Sequence, residues 1–289
     1  MTEMPDPPRA AQIPIRGGRI EALGLPGGPG QPLLVLGGVE TGLRPLSGTE
    51  QVLARRWERR MARRPVLILG RPLPDDPNDA ERLLHPRVIA DAIADAIADA
   101  IGTLDHPSPP FAIEAESGGG RIALWLTVTH PELVSRLVLV SPASETPPDS
   151  PMAPRMAQWI ELAERDQWGR FFGLMAIQMR PASGDGGAEA FEVAASLQPK
   201  PATPERFIGE LKATLDPSSF VTDRLREVTA PTLVIAAARD QVVPLASTTQ
   251  VAETIPGARL VIDPDGGHTV RTSFAAYDEL VEAFLAEGD

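Results

Sequence analysis

Six short apolar runs constrain this chain more than any other feature: PLLVLGG at 32–38, PVLILGR at 65–71, FAIEAE at 111–116, RLVLVSP at 136–142, PTLVIAA at 231–237 and ARLVIDP at 258–264. None is long enough to fold as an independent helix. Several are continuous in Val, Ile and Leu, as strands covered on both faces require. Stretches with helical periodicity fill the gaps, over 48–63, 86–103, 119–129, 246–255 and 272–286. Strand and helix in alternation predict an α/β fold, a mostly parallel sheet with helices on both sides.

Past residue 144 that rhythm fails. Two Pro-rich loops surround the helical stretch MAQWIELAERDQWGRFFGLMAIQM, and a further helix is expected at 204–215. The chain therefore divides into 1–144, 145–228 and 229–289: two parts of one sheet domain, the first with a flexible tail over 1–12, and an inserted helical cap between them. In a chain with only 4 % aromatic residues, the cap holds Trp159, Trp168, Phe172 and Met175. They either line an apolar substrate pocket or form the cap's own core, and their chemistry suits both.

Composition excludes several functions. Lys and Arg number 27 against 39 Asp and Glu, a net charge of -12, which repels nucleic acid and anionic membrane surfaces. Without cysteine there is no thiolate nucleophile, disulfide or Cys-ligated metal. No apolar leader and no membrane-length apolar stretch is present, so a soluble cytoplasmic protein is expected. Ile89, Ile93, Ile97 and Ile101 form an apolar stripe beside Asp91, Asp95 and Asp99, which read as a solvated face and not a metal ladder. The Arg pairs at 55–56, 59–60 and 63–64 are read the same way.

The stretch FAIEAESGGGRIALWL carries the chemistry. A strand ending at Glu116 runs straight into Ser117, three glycines and a helical apolar pattern, which puts a serine at the apex of a strand-turn-helix. Such a turn brings neighbouring backbone close and needs small residues two before and two after the serine, as Ala115 and Gly119 are. The hydroxyl then stands at a helix N-terminus, where the N–H of Gly118 faces developing negative charge. Phosphate cradling is disfavoured, because the triplet does not continue as G-x-G-x-x-G and no G-x-x-x-x-G-K-[ST] occurs.

Here the sequence resembles the α/β-hydrolase family, whose nucleophile elbow reads G-x-S-x-G and stands in this chain as Ala115-Glu116-Ser117-Gly118-Gly119. The likeness extends through THPELVSRLVLVSP, APTLVIAAARDQVVP and IPGARLVIDPDGGH. It implies a Ser, Asp, His order along the chain. His268, in the Gly-rich loop after the last apolar run, is the expected base. His85 and His106 lie in Pro-flanked loops ahead of the serine, and His130 ends the elbow helix. Asp240, just beyond PTLVIAA, is the expected acid, with Glu145 as the alternative and Asp223 and Asp265 behind it. Ser117, Asp240 and His268 all follow strand carboxyl ends, where open α/β sheets build their sites.

The resemblance also implies an oxyanion hole from the N–H groups of Gly118 and Val39. The latter follows Gly37-Gly38, where the family commonly has His-Gly. Gly38, Glu116, Trp159, Trp168, Phe172 and Met175 are the candidates for substrate contact. The implied activity is hydrolysis of a small-molecule carboxylic ester or lactone through an acyl-enzyme on Ser117, with no metal and no organic cofactor. The same residues suit C–C or amide cleavage and perhydrolysis, and the fold also serves ligand receptors without turnover. Glu114 and Glu116, on a strand expected to be buried, call for structural partners. Nothing in the sequence sets the oligomeric state.

Overall fold

The computed structural model describes residues 7–181 and 188–288. Its strands are β1 (Arg9–Ile15), β2 (Gly18–Leu25), β3 (Leu33–Leu36), β4 (Val66–Leu69), β5 (Leu73–Pro74), β6 (Phe111–Glu116), β7 (Val134–Val140), β8 (Thr232–Ala237) and β9 (Arg259–Asp263). They form one sheet in the order β1-β2-β4-β3-β6-β7-β8-β9, with β5 beside β2. The strands from β4 to β9 along this order run parallel. The β1–β2 hairpin is antiparallel and closes one edge.

All six apolar runs become parallel strands. The expected flexible tail over 1–12 is corrected: Arg9–Gln12 already pair with Gly24–Glu21, while residues 1–6 lie outside the described ones. The hairpin turns on Arg16 and Gly17, the latter at φ +81, and Pro14 is tolerated because β1 is an edge strand.

Alternate strand residues feed two cores. Leu34, Leu36, Ile113 and Ala115 pack with the helices Pro86–Leu104 and Gly118–Thr129. Leu33, Val35, Ala112 and Val140 pack with Glu50–Met61 and Tyr277–Leu285 through Trp57, Tyr277, Val281 and Phe284. The isoleucine stripe faces inward as its period requires, and Asp95 and Asp99 are exposed. Arg55, Arg56, Arg59 and Arg63 are exposed as expected, while two of the six arginines depart from expectation. Arg60 and Arg64 are 1 % exposed, because they neutralise Glu114 and Glu282 beneath the helix.

Between β7 and β8 the chain forms the helices Met152–Glu164, Trp168–Gln178, Ala188–Ser196 and Pro204–Leu215. Trp168, Phe171, Phe172 and Phe207 make an aromatic cluster there, with ring centroids 5.1 to 6.3 Å apart. Two side chains one helical turn apart fasten this insertion to the sheet. Arg206 donates to the carbonyls of Arg71 (2.9 Å) and Pro72 (3.1 Å), and Glu210 accepts from Arg71 (2.9 Å).

Candidate active site

Ser117 sits where β6 becomes the helix Gly118–Thr129, at φ +53 and ψ -121, a region that non-glycine residues rarely occupy. Its N–H donates to Val140 at 2.9 Å, which ties the turn to β7. A Cβ on Gly119 would collide with the carbonyl oxygens of Leu36 and Gly37, so the chain passes β3 there only as glycine. The strain at Ser117 and the bare backbone at Gly119 together lift the hydroxyl clear of the sheet.

The loops after β8 and β9 bring the other two residues to it. His268 Nε2 lies 2.9 Å from Ser117 Oγ, and His268 Nδ1 lies 2.8 Å from Asp240 Oδ2. With the Nδ1 proton donated to Asp240, Nε2 is left to accept from the serine. The other carboxylate oxygen of Asp240 accepts from the N–H groups of Val242 (2.8 Å) and Val243 (2.9 Å), which fixes its orientation. Both side chains are buried, His268 at 4 % and Asp240 at 1 % exposure. Burial opposes charge on the imidazole, but the charge and hydrogen bond of Asp240, joined by the charge of Glu116, outweigh it and raise the His268 pKa.

The insertion reaches into this arrangement. The His268 N–H donates to the carbonyl of Met179 (3.0 Å), and Gln241 Nε2 donates to that of Arg180 (3.1 Å). A Cβ on Gly267 would strike the backbone nitrogen of Pro181. The loops bearing His268 and Asp240 are thus held by one turn of the insertion.

Val39 and Gly118 each begin a helix, which leaves their N–H groups without an intrahelical acceptor. Gly38 packs against the serine, where a Cβ would stand 3.4 Å from Ser117 Cβ. Above them opens a cavity of about 240 Å³. Of the residues expected to touch substrate, Gly38, Glu116, Trp159 and Met175 line it, with Met152, Met156, Phe171 and Met179 beside them. Trp168 and Phe172 correct the expectation. One helical stripe turns Phe171 and Met175 toward the cavity, and the neighbouring stripe turns Trp168 and Phe172 toward Phe207. Glu210, also on the wall, is buried and its pKa is raised by that burial against the opposing Arg71.

Asp223 is exposed, and the other remaining candidates have partners elsewhere. Glu145 accepts from Thr222 (2.9 Å) and Gln250 (3.2 Å), and Asp265 pairs with Arg239 (2.8 Å). His85, His106 and His130 bond to Ser218, the Pro107 carbonyl and Asp91. Glu114 is met by Arg60 (2.9 Å) and Tyr277 (2.8 Å). The described residues contain no group of three or more His, Cys, Asp or Glu able to hold a metal ion, and no helix long and apolar enough to cross a membrane.

Known proteins are similar to this chain in sequence or in fold. Residues 83–272 match the family described as serine aminopeptidase, S33. A 2-hydroxymuconate semialdehyde hydrolase from Pseudomonas putida is 29 % identical over 188 residues, covering 61 % of this chain and 63 % of the relative, so under two thirds of that protein's length is spanned. MGS-M2, an α/β-hydrolase enzyme from a Medee basin deep-sea metagenome library, superposes with a TM-score of 0.73 at 15 % identity, covering 95 % of this chain and 96 % of its own. The esterase EaEST from Exiguobacterium antarcticum gives 0.72 at 17 % identity, covering 96 % and 99 %. At these identities the two structures speak for the fold.

Proposed function

Since this chain belongs to the serine aminopeptidase S33 family of α/β hydrolases, we propose that it hydrolyses a carboxylic ester or lactone through an acyl-enzyme on Ser117. The observation that carries the reading is the unbroken chain of contacts from Ser117 Oγ through His268 to Asp240, at 2.9 and 2.8 Å.

In this mechanism His268 Nε2 takes the Ser117 proton as Oγ attacks the carbonyl carbon, and Asp240 stabilises the imidazolium that forms. The N–H groups of Val39 and Gly118 hold the oxyanion. His268 then gives its proton to the leaving oxygen. Water, deprotonated by the same nitrogen, attacks the acyl-enzyme and releases the carboxylic acid and Ser117. The insertion serves as a cap, and the methionines on its inner wall supply an apolar, adaptable surface for the substrate.

The likeness to a 2-hydroxymuconate semialdehyde hydrolase favours a second reading, in which the same three residues cleave a bond other than an ester. Labelling with a fluorophosphonate tests the shared premise. The parent protein is expected to label, and Ser117→Ala and His268→Ala are expected not to. A folded parent that stays unlabelled removes the mechanism; in a parent that labels, a panel setting carboxylic esters against C–C and amide substrates separates the two readings.

A further inference from the structure

A second cavity, of about 200 Å³, lies on the face of the sheet covered by the helix Glu50–Met61. Its walls are mostly apolar, from Val35, Leu46, Leu53, Trp57, Ile68 and Tyr277, with Glu114 and Arg44 also on them. Thr41, Arg56, Glu116 and Arg271 line both this chamber and the cavity over Ser117, so these four residues form the partition between them.

The partition is unevenly secured. Arg271 is fixed: its guanidinium carbon lies 3.6 Å from the Trp57 ring centroid, and it donates to the Arg56 carbonyl at 3.2 Å. The Arg56 guanidinium and the Glu116 carboxylate, by contrast, have no hydrogen bond and no ion pair within 4.0 Å among the described residues. Arg56 is also exposed along part of its length. The charges of Glu116 and Glu114 attract the Arg56 guanidinium from a distance, against repulsion from Arg271 and Arg44. A long side chain held by no hydrogen bond gives way at small cost, and its methylene stem offers an apolar flank to whatever passes.

Resting on the serine-hydrolase reading, we propose that the second chamber is an acyl subsite: the substrate is an ester whose apolar acyl chain runs from Ser117 past Arg56 and Glu116 into it. The direction follows from the chemistry. The leaving oxygen has to lie within reach of His268, which arrives from the β8 and β9 loops. The acyl group then points to the opposite flank, where β3 and β4 and the loop after β3 wall the chamber. Medium-chain acyl esters fill both spaces, whereas acetates leave the chamber empty.

The test is the rate of hydrolysis of p-nitrophenyl esters from acetate to decanoate by the parent, Leu53→Trp and Val52→Trp. Leu53 projects into the chamber and Val52, 69 % exposed, stands at its outer mouth. In the parent, kcat/KM is expected to climb with acyl length. Leu53→Trp is expected to lower the decanoate-to-acetate ratio by about tenfold or more, the scale of one or two excluded methylenes. Val52→Trp gives a milder form of the same truncation and keeps the test open if Leu53→Trp fails to fold. A ratio unchanged in the folded variants overturns the subsite, as does a parent that prefers acetate. Fluorophosphonate labelling of the same samples separates the failures: an unlabelled parent loses the serine mechanism itself, and a labelled parent with an unresponsive ratio loses the chamber alone.

Discussion

Two buried side chains set opposite pH dependences. The raised His268 pKa means that its basic form is lost on acidification at a higher pH than for a free histidine. The acid limb of kcat/KM is therefore expected above the ordinary histidine value. Asp240→Asn should move that limb down and reduce kcat by about 10⁴, since the imidazole then settles in the wrong tautomer. A pH-rate profile reads both changes. For stability, a raised folded pKa contributes fully below the unfolded value and is lost as pH rises through the folded one. Glu114 behaves in the reverse sense. Burial pushes its pKa up, but the Arg60 and Arg271 charges and the hydrogen bonds from Arg60 and Tyr277 win and hold it below the usual carboxylate range. Its stabilisation is present above the unfolded value and disappears as pH falls through the folded one. Arg60→Met strands this carboxylate and should cost about 3–5 kcal/mol in urea unfolding, with part of the loss recovered in the Arg60→Met/Glu114→Gln double variant.

At the level of elements, the site is a matter of which backbones touch. Gly267→Ala should push the histidine loop away from Pro181. The expected result is a fall in kcat of at least tenfold, the scale of a misplaced catalytic group, with a smaller change in KM and an acid limb displaced as His268 shifts. Steady-state kinetics across pH check it. Sequence periodicity reached the six parallel strands and the elbow because buried strands and a serine turn are specified locally, by residues adjacent in the chain. It reached Asp240 and His268 through a family's order, since no local signal ties residue 240 to residue 268. It missed β1 and β2, whose RAAQIPIRGGRIEALGL alternates weakly and carries a proline that only an edge position excuses. It also read Arg60 and Arg64 as surface, because the carboxylates that bury them lie 54 and 218 residues away. The split between Phe171 and Phe172 turns on one residue of helical phase, finer than pattern alone resolves.

Across the whole molecule, Arg121 joins parts that the chain keeps apart. Buried in the elbow helix, it donates to the Ala143 carbonyl and Thr146 Oγ1 where the insertion departs, and to the Thr214 carbonyl and Ser219 Oγ where it returns. Burial lowers its pKa to about 10, with only the more distant charge of Glu145 opposing. Arg121→Met leaves several buried acceptors without a donor, each worth about 1–3 kcal/mol. Its melting temperature should fall, and limited proteolysis should cut first between β7 and β8. The carbonyls of Met179 and Arg180 carry a different lesson, for anyone seeking to retune specificity. Grafting a foreign segment between β7 and β8 would replace not only the walls around the ligand but also the struts that seat the imidazole. Side-chain changes at Met152 or Met175 leave those struts in place, so selectivity and turnover can be adjusted separately by point substitution where a wholesale transplant would disturb them together.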